Sequence, residues 1–182
     1  MEKPANLSNK VLQCIQKRRS CRKFTAQAVE DYKVESLLKA ALWAPTSKNN
    51  RPWHFVVVDN PQLLGKLSEC KPHGSAFLAE APLAIVVLAD PSKSDVWVED
   101  CAIAAILMQI TAEDLGLGST WIQIRQRLHN EKESAGDYIK KLINAPTGLE
   151  VASIIALGYK EKERAPYSEE YLLPERVHRN KF

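Results

Sequence analysis

The chain has 182 residues, 45% of them hydrophobic and 26% charged, with a formal net charge of +3. That is the size of one ordinary domain with enough apolar material for a substantial core, which excludes a disordered tail, a collagen-like fibre and a disulfide-stapled miniprotein. The charge is too mild to demand nucleic acid. Cys14, Cys21, Cys70 and Cys101 form no Cys-x-x-Cys pair and no ligand spacing with His54, His73, His129 and His178, so neither a disulfide framework nor a structural zinc is expected.

The opening MEKPANLSNK lacks the apolar core of a signal peptide, and the longest clean apolar run, Ala84 to Ala89, is far too short to span a bilayer. The expectation is a soluble, cytoplasmic protein with no membrane partner. Val11, Leu12 and Ile15 begin a helical stripe, capped at Asn6 or Ser8, that runs into the basic segment Lys17 to Lys23. A second helix carries Val34, Leu37, Leu38, Ala41 and Leu42 on one face, with Glu30 and Asp31 near its positive end and Pro45 stopping it. After a polar loop from Thr46 to Pro52, the aromatic and β-branched run Trp53 to Val58 reads as a strand. Asn60 and Pro61 cap a short helix reaching about Glu69.

Leu83 to Ala89 is a second buried strand, and Asp95 to Leu115, apolar on most faces, is the expected central helix, buried on most sides. Gly116 and Gly118 break it, and Ser119 to Ile124 resumes in extended form. Tyr138, Ile139, Leu142 and Ile143 form one face of a helix ended by Pro146, and Val151 to Leu157 is another strand. The last 24 residues are charged and proline-punctuated yet carry Tyr159, Tyr167, Tyr171, Leu172, Leu173 and Phe182. Such a tail cannot fill its own core, so it is expected to lie along another surface, such as that of a second subunit. No repeat or linker divides the chain, which reads as a single domain over residues 1–182. Strands and helices mix without βαβ rhythm. The only glycine-rich spot follows a helix, so neither a Rossmann site nor a phosphate loop is present, and no Gly-x-Ser-x-Gly elbow exists.

Two segments could carry chemistry. In Arg18-Arg19-Ser20-Cys21-Arg22, three guanidinium groups and a hydroxyl can surround a phosphate dianion, because arginine offers planar paired donors and keeps its charge. A solvated basic helix end is the plainer alternative. The loop Ala44 to Phe55 offers polar side chains and amides that could bind a heteroaromatic ring, or it is a simple connector. Together they suit a ligand with a phosphate at one end and a flat polar-edged ring at the other. Trp97, Met108 and Trp121 read as core or wall, Cys21 as a small filler, and His54 as a packed strand residue. Glu161, Glu163, Glu169 and Glu170 read as a solvated face.

Arg-Arg-Ser-Cys-Arg-Lys-Phe at 18 to 24, Ala-Pro-Thr-Ser-Lys-Asn-Asn-Arg-Pro-Trp-His-Phe at 44 to 55, Asp100-Cys101, Leu-Gly-Leu-Gly-Ser-Thr-Trp-Ile at 115 to 122 and the closing Arg-Val-His-Arg-Asn-Lys-Phe resemble, in that order, the FMN-dependent nitroreductase family. The resemblance implies an α+β, nitroreductase-like fold: a central, mainly antiparallel sheet packed by helices. It also implies an intertwined homodimer with an exchanged C-terminal arm over about 159–182. It implies that Arg18, Arg19 and Ser20 hold the FMN phosphate and ribityl chain, and that Arg22 reaches the pyrimidine edge, where a fixed cation stabilises the negative charge of reduced flavin. Pro45, Thr46, Ser47 and Asn49 match a loop presented by the other subunit, and Trp121, Ile122 and Gln123 match the backbone beside the central ring. Arg51 stands where the family often has glutamine and Gln123 where small members often have glycine. Lys162 and Arg164 are the nearest late basic residues, with Arg164 taken as completing the site. No side chain is expected to be catalytic and no metal is expected.

The activity so implied is transfer of hydride from NADH or NADPH to FMN and then, by a ping-pong sequence, to a small acceptor such as a nitroaromatic or a quinone. A non-catalytic module holding FMN or another phospholigand is the alternative, and a nucleic-acid-binding domain using Lys17 to Lys23 is a third.

Overall fold

A computed structural model describes residues 9–182. Four strands, β1 (Trp53–Val58), β2 (Leu83–Ala89), β3 (Gly118–Gln123) and β4 (Glu150–Gly158), form one sheet in the order β1-β2-β4-β3, every pair antiparallel. β2 and β4 are the central strands. Every residue of β2, and all of β4 after Glu150, is buried, because helices cover both faces of the sheet. That two-sided burial explains why both read as unbroken apolar runs rather than alternating ones.

On one face, α3 (Pro61–Ser68) and α5 (Ala135–Leu142) bury Leu64, Leu67 and Ile139 against Ile122, Ile154 and Val86. On the other, α2 (Asp31–Leu42) and α4 (Trp97–Asp114) bury Leu37, Cys101 and Met108 against Ile85, Val87 and Ile155. The α+β sheet-and-helix architecture expected from the sequence is therefore the one observed. The helix stops follow local chemistry: Asn60 caps α3 by accepting from the Leu63 N–H at 3.0 Å, and Ser134 caps α5 by accepting from Asp137 N–H at 3.0 Å. α5 ends where Asn144 takes a left-handed φ of 50°, two residues ahead of Pro146.

α1 (Lys10–Lys17) is capped by Asn9, whose side chain accepts from Val11 N–H at 3.0 Å and Leu12 N–H at 3.2 Å. The caps expected at Asn6 and Ser8 lie outside the described residues. One expectation needs correction: His54 is exposed on β1 and not packed. The stripe of Val11, Leu12 and Ile15 is 47–57% exposed, and α4, buried on most sides as expected, leaves Ile103 and Ile106 about two-fifths exposed on one open face in the single chain.

The tail divides in two. Its first part stays on its own chain: Lys160 bridges Phe24, Glu161 N–H donates to Lys23 O at 3.2 Å, and Tyr167 N–H donates to Gln16 O at 3.0 Å. Beyond it, Tyr171, Leu172, Leu173, Val177 and Phe182 are all exposed. Among the described residues no helix is long and apolar enough to cross a membrane.

Candidate functional site: an arginine-lined cleft beside the sheet edge

Where α1 ends, the chain turns to run alongside β3. Ser20 forms a parallel bridge with Ser119, and Cys21 N–H donates to Ser119 O at 3.0 Å. The Thr120 hydroxyl donates to the Cys21 carbonyl. Gly118 makes this approach possible, since a Cβ there would stand 2.7 Å from Cys21 Cβ and 2.8 Å from Lys160 Cγ. The basic segment is thus fastened to the sheet and does not fray as a helix end.

The segment faces the start of the tail across a cleft of about 450 Å³ lined by Arg19, Ser20, Arg22, Lys162 and Arg164, with Glu163 the one acid. Sequence reasoning placed Arg19, Ser20, Arg22 and Arg164 in one site, and the fold brings them together from opposite ends of the chain. Arg18 caps α1 and is half-buried, outside the residues lining the cleft. Among the described residues, no arginine lies within 4.0 Å of a carboxylate, whereas lysines make every ion pair. A guanidinium without an acid keeps its full capacity for an incoming anion, so the lining suits a phosphate. Arg19 is also tied locally, donating to Ala165 O at 2.9 Å with its cation 4.3 Å from the Tyr167 ring centre. Burial pushes the Cys21 thiol up, in keeping with a filler rather than a nucleophile.

At the other end of β3, Ile122 is core, so only its backbone could meet a ligand, and Trp121 is half-buried. The Gln123 amide is engaged by its neighbours: its oxygen accepts from Trp121 Nε1 at 3.0 Å and its nitrogen donates to Arg125 O at 2.8 Å. Lys71, absent from the sequence reading, donates to Gln123 O at 3.1 Å. Burial, with Arg127 nearby, holds its ammonium below the ordinary lysine range. Its only sequence signal was a cation in a turn after α3, which no periodicity distinguishes.

The loop carrying Pro45, Thr46, Ser47 and Asn49 does not line this cleft. It folds on itself, with Lys48, Asn49 and Arg51 all left-handed at φ 51°, 57° and 47°. Ser47 N–H donates to the buried Asp100 carboxylate at 2.9 Å, which also accepts from Ser94 Oγ at 2.8 Å. Arg51 Nε donates to Asn49 Oδ1 at 2.8 Å. The loop's shape is therefore set by the first turn of α4.

An antiparallel sheet clasped between two helical layers, with an arginine-lined cleft beside its edge strand, is the architecture of a flavoenzyme class whose sequence signature this chain carries: the nitroreductase family profile matches residues 15–73 and 66–159, and the chain belongs to that family. A relative from Archaeoglobus fulgidus, described as an NADH dehydrogenase/NAD(P)H nitroreductase, is 36% identical over 94% of this chain and 98% of its own. One from Methanothermobacter thermautotrophicus with the same description is 34% identical over 94% of this chain and 87% of its own. The solved structure of an FMN-dependent nitroreductase from Clostridium difficile superposes with a TM-score of 0.92, at 44% identity over 94% of this chain and 99% of that one.

Proposed function

We propose that the chain is a single-domain FMN-dependent oxidoreductase that takes hydride from NADH or NADPH and reduces a small acceptor, a nitroaromatic or a quinone, in the same pocket by a ping-pong sequence. The observation that carries this reading is the convergence of Arg19, Ser20, Arg22 and Arg164 on one cleft, with no carboxylate paired to any of the three guanidinium groups among the described residues. When bound, FMN supplies the hydride-transfer chemistry, so no side-chain nucleophile is required. The chain's own residues bind and orient. Arg19, Ser20 and Arg164 would hold the anionic end, and Arg22 would offer a fixed cation toward the ring's pyrimidine edge, whereas Arg18, at the end of α1, stands outside the cleft. The backbone of Trp121, Ile122 and Gln123 would line the central ring, with Lys71 fastened to the Gln123 carbonyl. The Gln123 amide is held along its own strand by Trp121 and Arg125.

The same reading makes the protein a homodimer. The apolar faces of α1 and α4 and the outer tail are exposed in one chain, and a second copy would cover them. Pro45, Thr46, Ser47 and Asn49, which do not line the cleft of their own chain, would then reach the partner's ring. The exchanged arm begins after Tyr167, since the preceding residues pack at home. A cytoplasmic setting suits four cysteines that form no disulfide.

Anaerobic mixing of the flavin-loaded protein with NADH and NADPH tests the activity. Bleaching of the flavin band, reversed by a nitroaromatic or quinone, is the expected result, and an unchanged spectrum with both nucleotides would reduce the protein to a binding module.

A further inference from the structure

The cleft has one internal device that the proposed cofactor contacts do not use. Lys160 lies among the cleft residues, yet its ammonium is spoken for: it pairs with Glu113 at 2.8 Å and with Glu163 at 3.2 Å. The Lys160 and Glu113 side chains are only 10% and 8% exposed, whereas Glu163 is 76% exposed, so Glu113 is the buried anchor. Burial alone would lower the Lys160 ammonium, but the Glu113 hydrogen bond and charge, with Glu163, outweigh it and keep it above the ordinary lysine range. The stem is equally constrained. Lys160 Cγ and Cys21 Cβ both lie within 2.8 Å of the point where a Gly118 Cβ would stand, and the Lys160 backbone bridges Phe24. Three chain segments, the arginine run, the start of β3 and the root of the tail, meet at this stem.

We propose that Glu113, at the C-terminal end of α4, is a positioning residue for the anion cleft: through Lys160 it sets the 160–164 segment so that Lys162 and Arg164 face Arg19, Ser20 and Arg22. The inference rests on reading the cleft as the phosphate end of an FMN site. Lys160 acts as a strut and not as a phosphate ligand, because its charge is balanced by a carboxylate that a bound anion would have to displace. The competing arrangement, with Lys160 a direct ligand and Glu113 a mere drain on the cleft's potential, gives the opposite sign when the acid is neutralised. Removing a negative charge beside an anion site then strengthens binding, whereas removing a strut weakens it.

The test is titration of the full chain with FMN and with riboflavin, which lacks the phosphate, in the wild type, in Glu113→Gln and in the double variant Glu113→Met/Lys160→Met. The strut predicts that Glu113→Gln weakens FMN by about tenfold while riboflavin shifts by less than about twofold. In the double variant a buried pair of similar volume becomes apolar and the net charge is unchanged, so packing holds the segment and FMN affinity returns to within about threefold of wild type. FMN binding that is unchanged or tighter in Glu113→Gln overturns the proposal, as does a parallel loss of riboflavin, or a double variant that binds FMN as weakly as the single. Should Glu113→Gln fail to fold by circular dichroism, the double variant decides alone. Wild-type protein that does not bind FMN removes the cofactor reading and this inference with it. Wild-type binding with an indifferent Glu113→Gln sinks the inference only.

Discussion

Ser20 lies beside Ser119 in a parallel bridge, and the next residue, Cys21, donates its N–H to the Ser119 carbonyl at 3.0 Å. That single registration turns a run of arginines from a loose helix end into an extra edge on the sheet. It aims Arg19 and Arg22 at the segment that leaves β4. The phosphate end of the proposed FMN site depends on it.

Arg22 and Arg164 line the cleft from opposite ends of the sequence and are both exposed. Truncating either to alanine removes a charge-assisted donor set worth roughly 1.5–3 kcal/mol, so FMN binding weakens by about tenfold to a hundredfold while stability barely moves. Riboflavin affinity separates the two roles: Arg164→Ala leaves it intact, and Arg22→Ala lowers it as well. Fluorescence titration reads both, and equal FMN affinity in either variant contradicts the assigned contacts.

Gly118→Ala places a Cβ 2.7 Å from Cys21 Cβ and 2.8 Å from Lys160 Cγ, with neither neighbour free to withdraw. Overpacking of this kind costs about 1–3 kcal/mol. The expected result in urea is a lower midpoint with weaker FMN binding. Full stability in this variant would mean that the three segments are not in contact.

Asp100 is 2% exposed and carries the Ser47 N–H and the Ser94 hydroxyl. In Asp100→Ala both donors lose their acceptor, a penalty of roughly 1–3 kcal/mol, and the left-handed residues Lys48, Asn49 and Arg51 lose their anchor. Trypsin should then cut after Lys48 much faster than in the wild type, at a denaturant concentration too low to unfold either protein. An unchanged cleavage rate contradicts the anchoring role.

Alkaline pH probes the tail root. The Lys160 ammonium, with burial opposed and outweighed by Glu113 and Glu163, sits above its ordinary 10.5, and the Lys33 ammonium is raised chiefly by its hydrogen bond to Tyr159. A cation whose folded pKa exceeds its unfolded one contributes stability that is complete below 10.5 and is lost as pH climbs through the folded value. Thermal melts should therefore fall steeply above that value. In Glu113→Met/Lys160→Met the fall should be shallower, and identical slopes would contradict the linkage.

Periodicity made much of the fold readable. The α2 stripe, the unbroken runs of β2 and β4 and the Asn60-Pro61 start of α3 each emerge where sequence expects them, because burial of a regular face dictates each one. The apolar stripe on α1 is legible, but no local pattern says that Val11 and Leu12 stay more than half exposed on their own chain. The site was half readable. The early arginines announce themselves by clustering and Arg164 is reached through the family resemblance, whereas Lys160 and Glu113 join them only through the antiparallel pairing of β3 with β4, a long-range event without local signature. Lys71 stayed hidden for the same reason: it reaches Gln123 across the sheet from a turn of ordinary composition.

The visible absorption spectrum of the purified protein, taken with and without added FMN, shows whether the cleft holds a flavin. The expected result is a yellow protein that holds about one FMN per chain and releases it intact on denaturation. A colourless protein that leaves added FMN entirely free in solution would contradict it.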